Sequence, residues 1–569
     1  MGLKLKHLAL LLLCALALFA LSRPPVAHDA AHVAASVGGV RGPAHHRGAV
    51  PATHTAAAAA AASAASAAVL PDRPWHRYTM PGVVRAGGGA AGAALVPTSA
   101  PIAIARAGSF SSLLDPALAQ LPEDGIAAQV AAGKLPKADN GGVRMKFPAL
   151  AALPPALAAA QPSYELEGQT PLFVLSPNVR DDHMTTSWAF SAGLRVGART
   201  KQLEAFGARY FAPPNAQDGG AAAGGVRLGR GSHSGPEDSR LVQFEGRLWL
   251  LSVMLTKGGV RRQHLHAWSW DQRAPGGPAP AGIAPAALRS VELRCPSCTP
   301  ALQEIEKNWG ALPARGGAPG LLHFVYTFDP LRVLACDAAS GECSKVYDQA
   351  PARGNFAEFG DYLRGGTQFV EWRHPYYLGA CHSTIHINER TGVIGEGADG
   401  DRKEGQDGED HEGAATRHRV FWVLLRAEPA TQEFEIVYTG GVLPVPMDAV
   451  QPEFPREYED SVWNGPWDGA RTRAAERDVD HDACGLAFVP GSDQDQALLS
   501  VDLRFQRAVV LQVAGLRALV DGAIAAAEAG RVAGSGAAAA ATERVGQVQA
   551  FVRQQLETWW FKGSHMKEL

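Results

Sequence analysis

No charge of one sign dominates this chain. Its 569 residues carry 53 Lys and Arg against 56 Asp and Glu, a formal net charge of -3. Nothing in that balance favours a nucleic-acid partner, and none is expected. N-glycosylation sequons are missing, because no asparagine is followed two residues later by Ser or Thr. No P-loop, Gly-x-Ser-x-Gly elbow or zincin helix occurs, which removes common phosphate, hydrolase and metalloprotease signatures. Cysteine is scarce, 7 in all. Cys14 lies in an apolar N-terminal run. Cys295, Cys298, Cys336, Cys343, Cys381 and Cys484 form an even set, compatible with disulfides in an oxidising lumen. Cys336 and Cys343 flank a hairpin-turn sequence and are expected to join. Cys295 and Cys298 read either as a local disulfide or as two separately paired thiols. Elimination leaves Cys381 with Cys484.

Long apolar runs are lacking as well. Lys4 and Lys6 precede Leu8–Ser22, a run shorter than the roughly 20 residues of a plasma-membrane span. A basic flank before a hydrophobic segment is the pattern of a secretory signal. A cleaved signal peptide and a short signal anchor both fit. No small-x-small cleavage site directly follows the run, which favours the anchor. The positive-inside rule then places the body in the lumen of the ER or Golgi, with secretion as the alternative. The final Met566-Lys-Glu-Leu569 lacks the Asp of a retention tetrapeptide and does not separate the two compartments. From Val26 to Pro162 the chain is rich in Ala, Gly and Pro, with His28, His32, His45, His46 and His54 scattered through it. Such composition cannot bury enough apolar area to offset chain entropy, so a disordered stem is expected. Pro101–Leu121 and Leu150–Leu157 are short ordered candidates within it. The expected boundaries are 1–25 for the signal segment, 26–162 for the stem, 163–506 for a β body and 507–569 for a helical end.

Past Pro162 the pattern changes to short apolar runs divided by Gly, Pro, Asp and Asn turns. Leu241–Phe244 and Arg247–Met254 make a hairpin about Glu245-Gly246, and similar runs recur to Leu498–Val501. Almost no helix interrupts them, which predicts an all-β sandwich, barrel or propeller rather than a parallel α/β sheet. The span suits a propeller of four-stranded blades. Arg507–Arg531 and Thr542–Phe561 are apolar at helical spacing and are expected to brace that body.

Polar clusters stand at the strand edges. The foremost is Glu237-Asp238-Ser239-Arg240, where Arg240 could hold Asp238 ionised or fork onto a hydroxyl or phosphate. Others hold Asn178 and Arg180; Lys307 and Asn308; Tyr326 and Arg332; Thr367; and His382. Sugar sites draw on carboxylates, cations and aromatics of this kind. Asp478-Val-Asp480-His481-Asp482 contains an Asp-x-Asp of the sort that binds a divalent cation, although a polar loop is the plainer reading. No cofactor follows from the sequence beyond that cation.

In order along the chain, these motifs resemble a known family. Gly235-Pro-Glu-Asp-Ser-Arg240 with its hairpin is similar to the Gly-x-Glu-Asp-Pro-Arg signature of five-bladed propeller β-mannoside phosphorylases and their glycosyltransferase relatives. Glu306-Lys-Asn-Trp309, His323–Val333, Arg364-Gly-Gly-Thr367 and Tyr377-Leu-Gly-x-x-His382-Ser resemble a eukaryotic, mainly algal and protist, branch of that group. The likeness runs from about Pro171 to Leu511. It implies a five-bladed propeller with a sugar site on its axis. Asp238 would be the acid-base or sugar-binding carboxylate, with Glu237 beside it and Arg240 orienting it. Asn178, Arg180, Lys307, Asn308, Tyr326, Arg332, Thr367 and His382 would bind substrate. Ser239 replaces the usual proline, and Ser500-Val-Asp502 stands where relatives carry a last-blade motif.

Three functions follow as expectations. The first is a lumenal glycosyltransferase with a sugar donor and a glycan acceptor as partners, held to a membrane by its N-terminus. The second is a glycoside hydrolase or phosphorylase on the same scaffold. The third is a glycan-binding propeller without turnover.

Overall fold

The computed structural model describes residues 69–85, 95–110, 143–153, 171–181, 187–211, 236–255, 261–268, 291–298, 308–349, 363–388, 394–395, 414–445, 481–503, 507–533 and 547–562. The apolar run Leu8–Ser22 and the acidic tract 396–413 lie outside them. The described residues are mostly strand. In chain order they are β1 (His76–Arg85) and β2 (Leu95–Ser109), then β3 (Val143–Ala152), β4 (Phe173–Asp181), β5 (Ser187–Val196) and β6 (Leu203–Phe211). Next come β7 (Glu237–Phe244), β8 (Arg247–Leu255), β9 (Arg261–Ala267) and β10 (Val291–Glu292), and β11 (Gly310–Leu312), β12 (Leu321–Phe328), β13 (Leu331–Asp337) and β14 (Cys343–Asp348). They are followed by β15 (Leu363–Arg364), β16 (Val370–Arg373), β17 (Tyr376–Asn388), β18 (Ile394–Gly395), β19 (Ala414–Glu428) and β20 (Glu433–Val442). The last are β21 (His481–Phe488), β22 (Gln496–Leu503) and β23 (Arg507–Ala514), before two helices, α1 (Leu516–Ala533) and α2 (Gln547–Lys562).

Strands β3–β6, β7–β10 and β11–β14 form three four-stranded sheets, each an antiparallel meander in chain order. The fourth sheet has 11 strands and runs β15-β17-β19-β20-β1-β2-β23-β22-β21, with β16 and β18 on β17. The early strands β1 and β2 thus sew the β15–β20 meander to the β21–β23 meander. This corrects the stem boundary. The stretch 26–162 holds β1, β2 and β3, and Ile102, Ile104 and Leu150 are buried. In β1, β2 and β3, alanine and glycine supply strands that pack closely rather than a solvated tether. A second correction is at the C-terminal end, where Arg507–Ala514 is the strand β23, and helix begins only at Leu516.

Apolar clusters lie between successive meanders. One joins β3–β5 to β8, and a second joins β7–β9 to β11–β13. A third joins β12 and β13 to β17, β19 and β20. The fourth joins those strands to β1, β2 and β21–β23, and the fifth returns from β2 and β21–β23 to β3–β6. Strand β19 shows why the sequence permits this. Val420, Trp422 and Leu424 enter one cluster, while Phe421, Val423 and Leu425 enter the other. Alternate residues face opposite sides, so a continuous apolar run is a strand buried on both faces.

The helices brace the outside. Leu516, Leu519, Val520, Ala523, Ile524 and Ala527 of α1 are buried at helical spacing in the cluster with β1 and β2. Val548, Val552 and Leu556 of α2 are buried against the neighbouring cluster. Among the described residues, no helix is long and apolar enough to cross a membrane.

Disulfides join Cys295 to Cys298 and Cys336 to Cys343. The expected third pair is absent. Cys381 and Cys484 are free and buried. Each sits in a packed strand, and burial pushes both thiols up from their ordinary range, so they stay protonated and inert at neutral pH.

Candidate functional site

Three neighbouring strands, β3, β7 and β21, each carry a bulge near their start. In β7, Asp238 and Ser239 together oppose Ser252 of β8, because Glu237 pairs with Val253 and Arg240 with Leu251. In β3 the register shifts between Lys146 and Ala149, and in β21 between Ala483 and Gly485. Bulges of this kind re-aim side chains at the rim of a β structure. Asp238 and Phe147 both take φ of 47°, a left-handed backbone that non-glycine residues avoid. Strain of this sort persists only where surrounding contacts hold it.

Those contacts are visible. Asn178 of β4 donates from Nδ2 to Pro236 O at 3.0 Å and accepts at Oδ1 from Ser239 N at 3.1 Å. One buried carboxamide therefore grips the chain on both sides of Asp238. Arg240 donates through Nε to Gly366 O and through Nη1 to Ser239 O at 2.9 Å. It ties the bulge to the segment between β15 and β16. Glu237 lies 4.0 Å from Arg261 across the sheet. Asp238 is half-exposed, whereas Glu237, Ser239 and Arg240 are buried. The charge that meets solvent at this corner is that of Asp238.

Facing this corner is a second polar group. Strand register pairs His382 of β17 with Val420 of β19, and Thr384 with His418. Two residues apart on paired strands, His382 and His418 share one face, with ring centroids 5.5 Å apart. Asp482 of β21 lies against them, its Oδ1 3.0 Å from His382 Nδ1. Burial works to raise the Asp482 carboxyl, yet His382, then Arg240 and His418, hold it well below the usual carboxylate range. Directly across the ladder from Asp482 is Asp502. It is buried and accepts from Phe147 N at 3.1 Å. The Cys484 thiol donates to Asp482 O at 3.4 Å and feels the charges of Arg240, Asp482, Asp502 and Asp238. The two polar groups are therefore one cluster, built from β3, β4, β7, β17, β19, β21 and β22.

Other sequence-predicted residues take varied places. Thr367 donates its hydroxyl to Gln368 O at 2.8 Å and accepts from Ala380 N at 3.0 Å, so it shapes the segment that presents Gly366 to Arg240. Asn308 has φ of 63°, and its carbonyl accepts from Gly365 N at 3.0 Å. A Cβ on Gly365 would meet that oxygen at 2.2 Å, which only glycine avoids. Tyr326 packs edge-on against Trp309, their centroids 5.6 Å apart. Arg332 is buried and bonds Asp348 at 3.2 Å, tying β13 to β14 within one meander. Arg180 lies in β4, opposite Arg144 and Ser187 in the register. Lys307, Asp478 and Asp480 lie outside the described residues.

Asp482, His418 and Cys484 complete the cluster, although sequence reading passed over them as site residues. Asp482 is the last residue of the Asp478–Asp482 run, and its strand, not the Asp-x-Asp spacing, brings it in. His418 is read from its register with His382, which only the paired strands reveal. Gln368 follows Thr367 in the same polar run. It is buried, and its Nε2 donates to Leu150 O at 2.9 Å and to Leu486 O at 2.7 Å, joining β3 and β21 below the cluster. Beyond it, at the far ends of the same strands, is a cavity of about 580 Å³ lined by Phe244, Arg315, Phe369, Glu371 and Phe488 among others. The polar cluster sits at one end of these strands and this cavity at the other.

No protein-family profile matches the chain. Among curated proteins, β-mannosyltransferase 7 of Candida albicans is 45% identical over 71 residues, 12% of this chain and 10% of that protein. β-Mannosyltransferase 1 of Komagataella phaffii is 37% identical over 71 residues, again 10% of its length. The likeness thus spans about a tenth of these relatives. Among solved structures, β-1,2-mannobiose phosphorylase from Listeria innocua overlays with a TM-score of 0.29 at 10% identity, covering 81% of this chain and 95% of that one. An endo-arabinase from Bacteroides thetaiotaomicron gives 0.27 at 9% identity, over 64% and 93%. Overlays this loose decide neither fold nor function. The curated relatives are carbohydrate-active enzymes.

Proposed function

We propose that this chain is a glycosyltransferase of the secretory lumen, moving a sugar from an activated donor to a glycan acceptor at the cluster around Asp238, Asp482 and His382. The observation that carries the reading is the convergence of three bulged strands on one half-exposed carboxylate backed by buried polar groups. We read the sheets as five blades of a propeller. Four are the meanders β3–β6, β7–β10, β11–β14 and β15–β20, and the fifth is β21–β23 with β2. The clusters that pass from each meander to the next, and from the last to the first, support that closure.

Asp238 is the acid-base or sugar-binding carboxylate. Its backbone is fixed by Asn178, while Arg240 bonds the Gly366 and Ser239 carbonyls and makes the bulge rigid. Asp502 supplies fixed negative charge suited to the cationic character that develops at a sugar carbon during glycosyl transfer. His382, Asn308, Arg180 and Lys307 are assigned to substrate. The β-mannosyltransferase likeness makes mannose the first donor sugar to try. The two short-loop disulfides suit an oxidising lumen, and the N-terminal apolar run is assigned to anchoring there.

The test is incubation of the full chain with activated sugar donors, mannosyl first, and oligosaccharide acceptors, with products read by mass. Transfer that is lost in Asp238→Asn is the expected result. Release of free sugar or sugar phosphate from an oligosaccharide would replace the reading with hydrolysis or phosphorolysis. Glycan binding without turnover, by folded protein, would leave a lectin-like propeller.

A further inference from the structure

His382, His418 and Asp482 offer three ligand atoms that all lie within 4.8 Å of one another. We infer that they form a binding site for one divalent transition-metal ion of the zinc type, inside the site proposed for glycosyl transfer and resting on that reading.

Bonds near 2.1 Å to nitrogen and oxygen set neighbouring ligand atoms roughly 3.0–3.4 Å apart around a tetrahedral or octahedral ion. His382 Nδ1 and Asp482 Oδ1 already stand 3.0 Å apart. The remaining pairs stand within 4.8 Å, and His418 is half-buried, so a rotation of its side chain would bring its nitrogen into range. The carrier strands are fixed. β17 and β19 pair along their whole length, so the two imidazoles are preset on one face. Asp482 is pinned by its ladder with β22.

The ligand types favour the same conclusion. A single dication satisfies the carboxylate and uses both imidazoles as neutral ligands. Two imidazoles and one carboxylate select zinc-like ions over Ca²⁺ and Mg²⁺, which prefer oxygen throughout. Three protein ligands also leave a coordination position for a further oxygen ligand.

The test uses the full chain, stripped of metal by chelation and confirmed folded by circular dichroism. Zn²⁺ is titrated by calorimetry, and Co²⁺ serves as a spectroscopic probe of nitrogen and oxygen ligation. One tight Zn²⁺ per chain is expected, with affinity falling at least about 100-fold in His418→Ala and in Asp482→Asn. His374→Ala, at a half-exposed histidine 3.4 Å from Glu428, serves as a control and leaves binding unchanged. His418→Gln keeps the side-chain size if the alanine variant misfolds. Folded protein that takes up no Zn²⁺, or binds it equally well in the His418 and Asp482 variants, overturns the inference. The second outcome would place the ion on other histidines of the chain.

Discussion

A single carboxamide governs the corner on which the chemistry is proposed to turn. Asn178 satisfies Pro236 O and Ser239 N at once, and both lie in buried surroundings. Truncation to alanine takes one hydrogen bond from each of them. The expected cost is about 1–3 kcal/mol in urea unfolding, the usual toll of removing a partner from a buried polar group. Asn178→Asp should recover only part of it, because a carboxylate cannot donate to Pro236. Asp238→Asn is the complementary case. The residue is half-exposed and its backbone is set by neighbours, so stability should hardly move. Turnover should fall by about 10²–10⁴, the usual worth of a positioned acid or base. Equal loss of stability and turnover in both variants would dissolve the distinction between a holder and a participant. At this scale the sequence was partly legible. Asp238, Arg240, Asn178 and His382 stand out as strand-edge polar residues, and the structure gathers them. Arg332 looks just as promising in the chain, yet its ion pair with Asp348 keeps it within one meander. Asp482 and His418 are silent in the sequence, because their partner lies on another strand.

Among the elements, the early strands carry the largest correction. β1 pairs with β20 and β2 with β23, so residues that look like a tether join two meanders of the body. β3 is a strand of the candidate site. A chain that begins at residue 163 should therefore fail to unfold cooperatively on heating, whereas one that begins at residue 69 should keep the sharp transition of the full chain. Matching transitions for the two would restore the stem reading. The reason these strands hide in the sequence is compositional. β2 reads Leu-Val-Pro-Thr-Ser-Ala-Pro-Ile-Ala-Ile-Ala-Arg-Ala-Gly-Ser, where small residues permit close sheet contact but carry no alternating signal. The later strands are legible because β-branched and aromatic residues recur between turns. Gly485 shows the same economy of space at one point, since a Cβ there would meet Leu150 N at 2.1 Å. β21 and β3 can approach so closely only because that position has no side chain.

The whole molecule answers to acid through histidines it has buried. Burial lowers His264 and His323 to about 4. Their folded values lie below the unfolded value of about 6.5, so the unfolded chain binds more protons once pH falls beneath that value. Stability is complete above pH 6.5 and declines as pH drops toward 4, each site removing up to roughly 3 kcal/mol over that window. Urea midpoints at pH 7, 5.5 and 4.5 check the sign, and His323→Leu should flatten the decline. A midpoint that rises on acidification would contradict it.

Gln368 acts as a strut. One side chain ties β3 to β21 through two carbonyls, and it also lines the cavity at the far ends of these strands. The spacing of the strands that carry the polar cluster is therefore held from the cavity side, and Gln368→Ala would let both ends of the pair drift together.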